Sequence, residues 1–302
     1  MTYILQQLIN AIQLGSIYAL IALGYSMVYG VLRFINFAHG DIFMVGAFLS
    51  YFAAVLIRRL AGATAIPTAL IFVGSMLLAM LGTALIALSI ERIAYRPLRR
   101  YRLSVVITAL GMGVFLEHMT LVIVGPWRIS FHPLITETVY KVAGVSISTT
   151  QLVIIFVSIL LMLILEFIVR QTKQGMAMRA ISYDREAVPL MGVNVDHIVT
   201  LTFAIASCLA AAGGLLYAHA YPIIEPYMGI MVGWKAFISA VVGGIGVIRG
   251  AMLGGYILGF VEIAAGAIFP SRMRDLISFV VLMIVLLAKP TGIFGLPLRQ
   301  KV

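Results

Sequence analysis

Residues 1 to 32 contain no charged side chain, and neither do the stretches Ile66 to Ile90 and Leu201 to Ala218. An α-helix needs about 20 successive apolar residues to cross a hydrocarbon core about 30 Å thick. These runs are continuous rather than alternating, so they specify membrane-spanning helices and not the strands of a barrel. Composition agrees, with 62% of the 302 residues hydrophobic and 11% charged, against roughly half and a quarter in a soluble domain. The expected class is an all-α polytopic membrane protein.

Nine apolar segments can be drawn, near 4–31, 38–58, 66–90, 103–124, 151–169, 197–220, 228–247, 250–269 and 274–290. Some are short, so eight to nine transmembrane helices in one domain spanning 1–302 is the expectation. The first run has no basic n-region and reads as a retained helix. The net charge of +10 is concentrated, with Arg92, Arg96, Arg99, Arg100 and Arg102 in one loop and Arg170, Lys173, Arg179 and Arg185 in another. Basic residues in short inter-helix loops mark the cytoplasmic side, which places the loop 125–150 and the N-terminus outside and Lys289, Arg299 and Lys301 inside. Arg58-Arg59 resists this topology, because it then faces outward. No basic stretch is interleaved with aromatics, so nucleic acid is excluded as a partner; membrane lipid is the expected surrounding.

Two polar interruptions carry the functional signal. The first, RFINFAHGD, sets Arg33, Asn36, His39, Gly40 and Asp41 between apolar runs. Two placements compete. At the cytoplasmic interface Asn36 or Asp41 caps the next helix and Arg33 anchors at headgroups. Deeper, the break belongs to a translocation path, since irregular backbone at membrane depth survives only when covered by protein or lining a cavity. Asp41 with His39 and Glu262 could also carry protons in a secondary transporter. The second interruption, 171–197, is cytoplasmic by charge. It mixes Met178, Ile181, Val188, Leu190 and Met191 with Arg179, Asp184, Arg185 and Glu186, the pattern of a short surface helix that docks to a protein.

Gly246, Gly250 and Gly254 recur at four-residue spacing, followed by Gly255 and Gly259. Such spacing lets helix backbones approach closely, and tight packing is favoured over substrate lining. Glu166 and Arg170 stand at the i, i+4 spacing of an ion pair, and Glu117 reads as facing an external vestibule. The five histidines form no H-x-x-x-H pair and Cys208 is the single cysteine, so no metal site is expected. No nucleophile and base stand together, so the chain is not expected to be an enzyme. None of the five lysines follows a glycine, which rules out a P-loop for ATP.

Glu186-Ala187-Val188 with Gly192 resembles the EAA-type loop of ABC import permeases, departing from it at Val188. Joined to INFAHGD, GMAMRA and GGIGVIRGAMLGG in this order, it resembles over essentially the whole chain the LivH-type permease of branched-chain amino acid ABC importers. That resemblance implies a type II importer-like permease of a bacterial cytoplasmic (inner) membrane. Its implied partners are a second permease of the LivM type, two cytoplasmic ATPases of the LivG/LivF type that bind the ATP, and a periplasmic or surface amino-acid-binding protein. No cofactor is implied on this chain. Met178, Arg179, Asp184, Arg185, Glu186, Ala187 and Gly192 would couple to an ATPase. Asn36, His39, Gly40 and Asp41, with Gly243, Gly244 and Gly246, become candidates to line the path. The cargo implied is leucine, isoleucine or valine, with urea or short amides as the alternative carried by related permeases.

Overall fold

The computed structural model describes residues 2–61, 66–99, 101–142 and 144–295. Arg100, Arg299 and Lys301 lie outside the described residues. Ten α-helices carry the described fold: α1 (Thr2–Leu32), α2 (His39–Ala61), α3 (Thr68–Ile90), α4 (Arg102–Val124), α5 (Thr149–Gln171), α6 (Lys173–Tyr183), α7 (Val195–Ala220), α8 (Met228–Gly243), α9 (Ile248–Ile268) and α10 (Arg274–Ala288). Seven of them are long and apolar enough to cross a membrane. At 16 and 15 residues, α8 and α10 are shorter, and α6 is an amphipathic piece outside the apolar runs. All nine sequence segments return as helices. The segment drawn as 228–247 ends earlier, because the backbone turns at Gly244 (φ 110°).

Helix α1 is the axis of the molecule, enclosed over most of its length, whereas α4 and α5 turn most of their apolar residues outward. The enclosure has a small-residue cause. A Cβ on Gly255 would lie 2.4 Å from the Ala19 backbone, and one on Gly259 would lie 2.6 Å from the Gly15 backbone. The same helix uses its other glycines on α8, with Gly250 against Gly243 and Gly254 against the Ser239 carbonyl. Thus α9 carries two glycine stripes, one for each neighbour. Without a hydrophobic drive between helices in lipid, this close approach supplies the association energy as van der Waals contact.

Side-chain ties sort the loops into two faces. On one, Gln6 accepts from the Ser146 amide at 3.0 Å, Asn10 accepts from Gln151 at 3.0 Å, and Arg128 pairs with Glu225 at 2.7 Å. Arg58 joins this face by donating to the Pro133 carbonyl at 3.4 Å, so the outward arginine has a seat on the outer loop. That loop is less irregular than the sequence suggests. It holds β1 (Ile129–Ser130), β2 (Val139–Val142) and β3 (Val145–Ser148); β2 pairs with β3, and β1 with β4 (Ile223–Ile224). On the opposite face Arg99 reaches Glu91 and, at 2.7 Å, Asp196, which puts both basic loops on one side, as the positive-inside rule requires. Burial pulls the Arg99 guanidinium below its ordinary value, and the Asp196 carboxylate opposes that pull. The 289–295 segment lies here too, with Ile293 and Phe294 donating to the Val242 and Gly243 carbonyls. The N-terminal and C-terminal ends of the described chain therefore lie on opposite faces.

Candidate translocation cleft and docking loop

The break after α1 begins with Arg33 at φ 60°, the one non-glycine residue with positive φ among the described residues. Its amide closes α1 on the Tyr29 carbonyl at 2.8 Å, as a left-handed helix terminator does. The chain then turns back into the bundle. His39, the first residue of α2, lies against Gly24, whose Cβ would be 2.2 Å from the imidazole Nε2 and 3.2 Å from the Ala206 carbonyl. Gly24 is eight residues above the end of α1 (32 − 24), about 12 Å at 1.5 Å per residue. Helix α2 consequently starts inside the bundle and not at its surface. Irregular backbone at that depth must be covered by protein or border a cavity, and both conditions hold.

Cover comes from Asn36, buried, whose side-chain carbonyl accepts the Tyr95 hydroxyl at 2.9 Å. Its backbone carbonyl accepts the His39 amide at 3.1 Å. The Asn36 side chain is therefore spent on Tyr95 and does not cap α2. Gly40 lets α8 approach: a Cβ there would meet the Gly229 carbonyl at 2.5 Å and Gly233 at 2.8 Å. The cavity follows immediately, a cleft of about 160 Å³ bordered by Asp41 from α2, Gly113 and Glu117 from α4, and Trp234 and Phe237 from α8. It is smaller than the roughly 300–1,000 Å³ of sites for drug-sized ligands, which limits an occupant to a small solute.

Asp41 and His39 do not work together. Residues two apart on a helix point to different sides, and His39 turns to the Tyr25 ring, 4.7 Å between centroids, while Asp41 turns to the cleft. Nor does Glu262 join them. It accepts from Tyr18 at 2.8 Å and from Lys235 at 2.7 Å, and Lys235 also pairs with Asp275 at 2.8 Å. That is an internal ion cluster between α1, α8, α9 and α10. The three groups of the proton-carrier reading are thus separated. Glu117, expected at an external vestibule, is buried beside Asp41 instead.

The glycines named with the first break stand elsewhere. Gly243 packs on Gly250, and Gly244 on Gly295. Gly246 donates its amide to the Ser26 hydroxyl at 2.8 Å and borders a separate cavity of about 370 Å³ with Gly30, Met178 and Arg249. The candidate path residues therefore form two groups in separate parts of the bundle. Glu166, at the edge of this second cavity, receives Arg170 at 3.1 Å, as its spacing indicates, and Arg249 at 2.6 Å.

The 171–197 loop is ordered into α6 and a 3-10 turn, Val188–Met191. Thr172 ends α5 with its amide on the Ile168 carbonyl and starts α6 by accepting the Gly175 amide at 3.0 Å. A Cβ on Gly175 would lie 2.3 Å from two α5 carbonyls, so the corner requires glycine. Met178 and Ile181 are buried, and Arg179 bonds back to the Val169 carbonyl. Asp184 accepts the amides of Glu186 and Ala187 at 3.1 and 3.2 Å, which shapes the EAV stretch as a turn. Gly192 ends the 3-10 turn at φ 78°. Arg185, Glu186 and Ala187 are exposed. Tyr183 is 83% exposed, and equally bare are Leu190 and Met191, at 88% and 83%. They belong to the mixed pattern in the sequence, but no sequence rule singles them out as the tip. Arg33 donates to the Ser182 carbonyl at 2.5 Å and so ties this loop to the polar break. The 171–197 loop and the polar break that carries the first group of candidate path residues are thereby joined by one hydrogen bond.

A bundle with a covered re-entrant break, a small cleft and an exposed knob on the side of the basic loops is the architecture of a multi-pass membrane protein. The model of the family described as branched-chain amino acid transport system, permease component, matches residues 7–286, and the chain belongs to that family. It is 41% identical to the high-affinity branched-chain amino acid transport system permease protein LivH of Escherichia coli (strain K12), over 99% of this chain and 98% of that one. It is 40% identical to the LivH protein of Salmonella typhimurium with the same coverage. Against the corresponding BraD protein of Pseudomonas aeruginosa the identity is 39%, again over 99% and 98%.

Proposed function

We propose that this chain is the membrane permease subunit of a binding-protein-dependent ABC importer that moves leucine, isoleucine or valine inward across a bacterial cytoplasmic membrane. The whole chain forms one permease domain, with 171–197 as its coupling loop. Its partners are a second, related permease, two cytoplasmic ATPases that bind the nucleotide, and an external amino-acid-binding protein; the chain itself holds no cofactor. The observation that carries the reading is the Arg33–Ser182 hydrogen bond, because it links a loop shaped for docking to a break shaped for passage. Closure of the ATPases on ATP displaces Leu190 and Met191. Through α6 and Arg33 that displacement reaches the start of α2, and the cleft alternates its access. An apolar cargo suits a route with few fixed charges.

The test is reconstitution of the complete transporter with labelled leucine. Uptake should require ATP inside and the binding protein outside, and Leu190→Asp should lower ATPase co-purification and uptake at least tenfold while the chain stays folded. Uptake by this chain alone in liposomes would overturn the reading. Unchanged ATPase association in Leu190→Asp would remove the docking assignment.

A further inference from the structure

The Asp41 carboxyl occupies a place that two other helices are shaped to leave open. A Cβ on Gly113 of α4 would lie 2.5 Å from Asp41 Oδ2, and a Cβ on Gly229 of α8 would lie 2.8 Å from Asp41 Oδ1. Either addition would displace the group. Oδ1 has no hydrogen-bond partner, and the residue is 7% exposed. Glu117, 8% exposed, stands beside it in the same cleft. Lys235 on the neighbouring helix is committed to Glu262 and Asp275, and among the described residues no lysine or arginine borders the cleft. Asp41 and Glu117 hydrogen-bond to each other, but Oδ1 stays idle, and a buried acidic pair with no cation of its own is costly to maintain. A cation that arrives from outside removes that cost.

The rest of the lining describes that cation. Phe37, Trp234 and Phe237 pack on one another with centroids 5.6 to 5.9 Å apart and give the cleft an apolar wall. Aromatic faces attract a cation and accept a short aliphatic group equally well. A metal ion is a poor fit to this wall, and among the described residues no cluster of three metal-ligating side chains occurs. An ammonium on a small branched carbon frame fits both halves.

We propose that Asp41 and Glu117 form a transient receptor for the α-ammonium group of the transported amino acid, with the Phe37, Trp234 and Phe237 wall receiving its side chain. The assignment rests on the proposed cargo, and it locates where in this chain that cargo pauses.

The experiment uses the complete detergent-solubilised transporter without its binding protein, and measures saturable binding of tritiated leucine. Two competitors divide the ligand: 3-methylbutylamine retains the ammonium and the branched chain, while 4-methylpentanoate retains the carboxylate and the branched chain. The amine should displace leucine and the acid should not. Asp41→Asn combined with Glu117→Gln, which keeps shape and hydrogen bonding, should weaken binding at least tenfold. In proteoliposomes the same double variant should lose uptake at least tenfold while the loaded binding protein still stimulates ATP hydrolysis, which shows that assembly survives. Displacement by the acid alone overturns the proposal. So does an absence of saturable binding at millimolar leucine, or wild-type leucine binding by the double variant. The cargo reading is judged separately, by leucine uptake in the wild-type transporter, so either can fail alone.

Discussion

Two interruptions flank the lower half of α1, and they are made of opposite materials. The 33–38 break is held by side chains: Arg33 on the Ser182 carbonyl and Asn36 under Tyr95. The 244–247 break is held by backbone, with Gly244 and Gly246 at positive φ and a single tie to the Ser26 hydroxyl. Both interrupt helices inside a bundle, where unsatisfied polar groups are expensive. The first solves this with polar side chains that can exchange partners. The second removes side chains so that backbones can touch. A polar break can respond to a charge or a pull, whereas a glycine break only fixes how closely two helices lie.

The largest effect expected from this contrast lies on the glycine side. Gly255→Leu would drive a side chain into the Ala19 backbone, an overpacking that costs about 3 kcal/mol or more where neither helix can yield. Little folded chain should survive detergent extraction, as read by fluorescence-detected size exclusion. Accumulation at the wild-type level would show that α1 and α9 can separate, and the packing account would fail.

Next comes the polar break. Asn36→Ala leaves the Tyr95 hydroxyl buried without its acceptor, a loss of about 1–3 kcal/mol. Combined with Tyr95→Phe in a double-mutant cycle, the pair should show a coupling of about 1 kcal/mol in thermal unfolding. Additive losses would mean that the bond is not what holds the break. Gly246→Ala should cost about 1 kcal/mol, because an alanine at φ 90° is strained, although the nearest atom to its Cβ is 3.4 Å away. Its uptake should match its folded amount. A loss of uptake beyond that would give the glycine break a moving part.

The smallest change in stability belongs to Arg33→Gly, and it sharpens the comparison most. Glycine relieves a left-handed strain of about 1–2 kcal/mol, gives back about 0.4–1 kcal/mol through a freer unfolded chain, and deletes the tie to Ser182. Melting should be unchanged or slightly raised, while leucine imported per ATP hydrolysed falls at least twofold. Unchanged stoichiometry would remove Arg33 from the coupling route.

Much of this was legible in the sequence. The helices follow from uninterrupted apolar runs, and the loop faces follow from where arginines gather, except at Arg58, whose outward seat only the folded outer loop explains. The two stripes of α9 were visible as spacing, but which stripe meets which helix depends on tertiary packing. Glu117 was misplaced for the same reason. Its neighbour in the cleft comes from a helix 76 positions earlier (117 − 41), and no local pattern carries that proximity. The β2–β3 hairpin had a local signal, alternating V-Y-K-V and V-S-I-S around Gly144, the pattern of a strand pair joined by a tight turn. Leu190 and Met191 remained mixed with their neighbours because burial, and not residue type, separates them from Met178 and Ile181.

The corner at Thr172 bears on how force leaves the docking loop. One residue terminates α5 and initiates α6, and Gly175 is wedged against the α5 carbonyls with no room for a β-carbon. Such a joint does not hinge. On the proposed coupling it would act as a bell crank, turning a sideways displacement of the short arm, α6, into rotation of the long arm, α5. The exposed long arm faces what surrounds the bundle, so on the proposed coupling a motion that begins at the knob would be delivered to the molecule's periphery as well as to its axis.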